Sequence, residues 1–89
     1  MLAQVTGLVL TPAGAGKVFV EHEASVCALD YQVSWKPQDS SGDPTVVGLF
    51  ADLTLTLSGL PTGLAVVVSV TARNSAGETQ PTEATIVVP

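Results

Sequence analysis

A few side chains in this chain belong to types that can do chemistry. His22 is the sole histidine and Cys27 the sole cysteine. A nucleophile–base pair or a metal site needs both within reach of further partners. They stand five positions apart, which matches no metal-ligand spacing, so a hydrogen-bonded core or edge histidine and a small apolar cysteine are expected. Asp39, Asp43 and Asp52 are the next set. A calcium loop alternates its acidic ligands and closes on a bidentate glutamate. The segment QDSSGDP (residues 38–44) does neither and reads as a solvated turn. Tyr31 and Trp35 offer flat faces that suit a sugar ring, but they share an apolar face with Leu29 and Val33, which implies core packing. The six-residue run Arg73, Asn74, Ser75, Ala76, Gly77 and Glu78 is the candidate binding loop, because an exposed turn can vary while its scaffold stays fixed. The competing reading is a plain turn in which Gly77 supplies the positive φ.

These residues sit in an 89-residue chain, which we read as one domain spanning residues 1–89. The chain is 46% hydrophobic and only 12% charged, a balance that excludes a disordered tail. Net charge is −5, and the three basic residues, Lys17, Lys36 and Arg73, are scattered. Nucleic-acid binding needs clustered cations, so no nucleic-acid partner is expected. No apolar run approaches the ~20 residues that span a bilayer as a helix, so no membrane insertion is expected. The start, MLAQVTG, lacks the basic and apolar regions of a signal peptide. The lone cysteine makes no intramolecular disulfide and leaves the compartment open.

Turn signals recur every eight to twelve residues or so, as in a sandwich of short strands. Strands are expected at residues 4–10, 17–24, 28–37, 45–51, 52–60, 64–73 and 82–88. Residues 11–16, TPAGAG, are expected to form a loop, and 74–81 a turn. The alternation is clearest in ALDYQVSWKP, with Leu29, Tyr31, Val33 and Trp35 on one face. Leu53, Leu55 and Leu57 share another face. Val66, Val68, Val70 and Ala72 form a third, expected to meet the Tyr31 row from the opposing layer. Thr45 to Ala51 is expected at a sheet edge, with a bulge at Gly48. Phe19 and Phe50 fall outside the main core pattern.

The pattern is therefore that of an all-β sandwich of about seven strands. The stretch GLPTGLAVVVSVTARNSAGE resembles a fibronectin type III module at its strand F. Leu60 and Pro61 stand at the corner, Val68, Val70 and Ala72 point inward, and Asn74 and Gly77 lie in the following loop. DYQVSWKP is similar to the family's strand C, and the resemblance implies a seven-stranded antiparallel Greek-key β-sandwich of fibronectin type III or immunoglobulin-like kind. Two positions depart from the family pattern: His22 stands where strand B usually carries Trp, and Val66 where many sandwiches carry the corner Tyr.

The resemblance implies a non-catalytic module without cofactor, acting as structural spacer or interaction domain of a larger, extracellular or cell-surface protein of bacterial or phage origin. Its partners would be neighbouring domains, and in isolation it would be monomeric. The alternative is a module that binds protein or carbohydrate through the F–G loop or an exposed sheet face. No metal-ligand set and no phosphate-cradling motif appears: AGAG (residues 13–16) is too short and precedes a strand. An enzyme is not expected.

Overall fold

The computed structural model describes residues 3–39 and 42–89. The expected turn at 38–44 includes Ser40 and Ser41, which lie outside the described residues, as do Met1 and Leu2 of the MLAQVTG start. The strands are β1 (Val9–Gly14), β2 (Lys17–Glu21), β3 (Asp30–Pro37), β4 (Thr45–Phe50), β5 (Thr54–Leu57), β6 (Ala65–Asn74), β7 (Gly77–Glu78) and β8 (Thr82–Val87). One sheet has the order β1-β2-β5; the other runs β4-β3-β6, with β7 and β8 both pairing on the far side of β6. All pairings are antiparallel. The chain changes sheet between β2 and β3, between β4 and β5, and between β5 and β6, which makes it a Greek-key sandwich.

β6 is the centre of the larger sheet, and its sequence shows why. Val66, Val68, Val70 and Ala72 are fully buried, while the alternating Val67, Ser69, Thr71 and Arg73 are half-buried. A strand flanked on both sides and covered on one face needs this pattern, and β-branched residues fit it best. Val33 and Tyr31 continue the inner face on β3. Val18, Val20 and Leu57 answer from the smaller sheet, and Val5, Leu60 and Val88 close the ends. Burying one such Val stabilises by about 1.5–3 kcal/mol.

Several expectations need correction. The Val66/Val68/Val70 row and the Tyr31/Val33/Trp35 row do not face each other across the sandwich. They are neighbours in one sheet: Tyr31 pairs with Ala72, Val33 with Val70 and Trp35 with Val68. Period-2 alternation tells which face a residue occupies, not which strand lies beside it. The first strand begins at Val9, and residues 11–14, expected as loop, belong to it. β1 is an edge strand, where Pro12 costs no central ladder bond. A register shift between Pro12 and Gly14 leaves Ala13 as the extra residue.

The expected turn at 74–81 contains an eighth strand, β7. Val70 pairs with Thr82 and Arg73 with Glu78, so three steps along β6 meet four along the partner. β7 and β8 are thus one strand interrupted by an irregularity that includes Pro81. Leu29 does not join the core face: it precedes β3 and is 68% exposed. Trp35 is half-buried and packs against the core from its margin. The edge position of β4 and its bulge are as expected. Val33 pairs with Gly48 and Ser34 with Val46, leaving Val47 as the extra residue.

Candidate functional site

The loop between β2 and β3 and the hairpin from β6 to β7 meet at one pole of the sandwich. The hairpin follows from its sequence. Asn74 accepts a hydrogen bond from the Ala76 N–H at 2.8 Å, the Asx geometry that lets asparagine replace a backbone turn contact. Gly77 takes φ = 143°, open only to a residue without Cβ. The other end of the Asn74 amide donates to the Cys27 carbonyl at 3.0 Å. Beside it, the Leu29 N–H donates to the Arg73 carbonyl at 2.7 Å. The two loops are therefore latched together.

Asn74 is the joint between them, and its loss has a defined effect. Asn74→Ala is expected to cost about 1 kcal/mol, since each exposed hydrogen bond contributes modestly. Amide exchange should rise at Ala76 and within residues 26–29, with β6 unchanged. Unaltered exchange at both loops would show that the latch is idle.

The structure brings five of the six candidate residues into contact with other parts of this pole, by pairing or hydrogen bond. Arg73 and Glu78 pair across the hairpin with Nε and Oε2 3.7 Å apart, at 38% and 58% side-chain exposure. An exposed pair of that length contributes little stability. Asn74 and Gly77 are register partners, and Ala76 is held by Asn74. Ser75 joins Leu29, Asp30, Arg73 and Asn74 around a shallow depression of about 180 Å³. The neighbouring loop adds what sequence reasoning left out: exposed Val26 at 65% and Leu29 at 68%. Cys27 between them is exposed, with φ = 64°, a left-handed conformation costly for any residue with Cβ. A run of mixed polarity gives no periodic signal from which this could be read.

The other chemistry-bearing residues are dispersed. His22 is buried just past β2, with its ring tilted against Tyr31 at 4.4 Å between centroids. Its Nδ1 lies 3.1 Å from the Glu23 carbonyl. This is the hydrogen-bonded core histidine expected from the sequence. Asp39, Asp43 and Asp52 are exposed, and among the described residues no three His, Cys, Asp or Glu side chains gather as a metal site would require. Tyr31 is buried. Phe50 packs on the core from the edge, and Phe19 is half-buried on the outer face of the smaller sheet.

No family model matches the chain, and no curated protein matches it in sequence. Solved structures do match in shape. The crystal structure of FN3tt superposes with a TM-score of 0.86 at 12% identity, over 98% of this chain and 94% of that one. The fn3 domain of the human collagen alpha-1(XX) chain gives 0.86 at 21% identity, over 97% and 84%. A Fn3-like protein from Clostridium thermocellum gives 0.83 at 24% identity, over 99% and 94%. The chain has a fibronectin type III-like fold, reached through a divergent sequence.

Proposed function

We propose that this chain is a non-catalytic module of a larger protein, holding neighbouring domains apart or presenting a contact surface between them. The observation that carries the reading is where residues 3 and 89 lie. The Ala3 N–H donates to the Val26 carbonyl at one pole, and the Pro89 carbonyl accepts from the Gly16 N–H at the other. β6 runs between the two: its first residue, Ala65, pairs with Val87, and its last, Asn74, bonds to Cys27, in a body 39 × 26 × 18 Å in extent. Domains joined at both poles are strung in a row. The setting that fits such a module is a secreted or surface protein of bacterial or phage origin, the expectation already raised by the family resemblance. Two features of β4 favour a monomer in isolation: Pro44 before it and the Val47 bulge within it are devices that blunt a sheet edge.

A tandem of two copies joined directly tests the spacer reading by small-angle X-ray scattering. A maximum dimension near twice the 39 Å axis is expected. A tandem little longer than one copy would mean that the modules fold back on each other, and would refute it. A second reading, a protein or carbohydrate ligand held at the latched pole, is favoured by the exposed Val26 and Leu29 beside the hairpin. Asn74→Ala separates the two, since it would weaken such binding and leave the length of the tandem unchanged.

A further inference from the structure

The outer face of the larger sheet carries a groove of about 310 Å³ whose lining includes Lys36 and, on the hairpin, Glu78. Its central rungs are neutral and polar, with Pro44, Val46 and Pro81 as apolar margins. Gln32 and Thr71 are register partners there, as are Ser34 and Ser69. On one side stands Glu83, the register partner of Ser69 on β8, whose Oε2 accepts from the Ser69 hydroxyl at 3.2 Å. Two residues beyond Ser34 along β3 stands Lys36. Glu78, also on the rim, is paired with Arg73. Among the described residues neither Glu83 nor Lys36 has an ion-pair partner. A carboxylate steadied by a hydroxyl and an unpaired ammonium thus stand diagonally across one trough, on β8 and β3.

We propose that this groove receives an extended polypeptide segment of a partner protein that carries one basic and one acidic residue. Charge complementarity selects the occupant: its cation meets Glu83 and its carboxylate meets Lys36. Serine, threonine and glutamine on the floor hydrogen-bond its backbone. No lining residue is aromatic, so the stacking platform on which a sugar ring would rest is missing. Sheet geometry sets the spacing. Two inter-strand steps of ~4.8 Å and two residues at ~3.3 Å separate Lys36 from Glu83 by about 12 Å. An extended chain covers that distance in about four residues.

The probe is an acetylated, amidated peptide, Gly-Lys-Ser-Thr-Ser-Glu-Gly, titrated into the 89-residue protein and followed by amide chemical shifts. Saturable shifts are expected at Gln32, Ser34, Ser69 and Thr71. Peptides with Lys at both charged positions, or Glu at both, should bind about fivefold more weakly, the scale of one exposed ion pair. Lys36→Glu should turn the preference toward the double-Lys peptide, and Glu83→Lys toward the double-Glu peptide. Equal response to all three peptides, no saturable shift at millimolar peptide, or variants that keep the wild-type preference would each overturn the proposal. The wild-type comparison decides the matter even if a variant melts early. Failure here leaves the spacer reading intact, because the tandem is measured without any ligand.

Discussion

Tyr31→Ala is expected to lower the stability of this domain by about 4 kcal/mol, a large share of the ~5–15 kcal/mol typical of native proteins. Three contacts meet at this side chain. The ring is 4% exposed on the inner face of β3, opposite Ala72, whose small side chain leaves room for it. It lies against His22, with centroids 4.4 Å apart and planes at 58°, an arrangement favoured by the charge distribution of aromatic rings. Its hydroxyl accepts from the Ser25 N–H at 2.8 Å, which anchors the start of the loop that ends at the candidate pole. Truncation would leave a cavity between Ala72 and His22 and release that loop. Tyr31→Phe separates these contributions. It keeps the ring and drops only the hydrogen bond, so a cost of about 1 kcal/mol is expected. Urea unfolding followed by Trp35 fluorescence measures both variants. If the two cost the same, ring packing is not what holds this corner, and the hydroxyl contact alone would carry it.

The sequence made Tyr31 legible as a core residue but not its neighbours. Alternation over residues 29–37 and 64–73 marks inward and outward faces, because a pleated strand has a strict period of two. The same alternation is silent on strand order, which is why the β3 and β6 rows were expected in opposite layers and prove to lie side by side. The edges were the least legible. Pro12 and Gly14 are loop signals in isolation, yet an edge strand has an outer side on which a missing N–H costs nothing. β7 is two residues long and hides in a turn, below the length at which any periodicity shows. Of the candidate site, the hairpin half was readable from Asn-Ser-Ala-Gly. The half contributed by Val26, Cys27 and Leu29 was not, because its place depends on bonds to residues far along the chain: Asn74, 47 positions from Cys27, and Arg73, which accepts from Leu29. The groove was hidden for a related reason. Lys36, Ser34, Ser69 and Glu83 lie on three strands, and only register brings them together.

The opposite pole depends on Gly16, and Gly16→Ala is expected to cost about 2–3 kcal/mol. This glycine is buried, with φ = 72°. Its N–H donates to the Pro89 carbonyl at 2.9 Å, and its own carbonyl accepts from the Leu60 N–H at 3.0 Å. One residue therefore ties the β1–β2 turn to the corner before β6 and to residue 89. An added Cβ would lie 3.2 Å from the Leu60 carbonyl oxygen, a backbone atom that cannot swing aside like a side-chain tip. Left-handed backbone costs a residue with Cβ about 1–2 kcal/mol, offset by up to about 1 kcal/mol through the stiffer unfolded chain. The remainder must come from displacing Leu60, which is 5% exposed and part of the core. Gly63→Ala isolates the backbone component. Gly63 has φ = 79° and nothing within 4 Å of its would-be Cβ, so about 1 kcal/mol is expected. Denaturant midpoints of the two variants give the difference, and amide exchange at Leu60 and Gly16 locates it. Should Gly16→Ala prove no costlier than Gly63→Ala, the close approach at Leu60 does not constrain this pole, and a neighbour attached at residue 89 would not be rigidly placed.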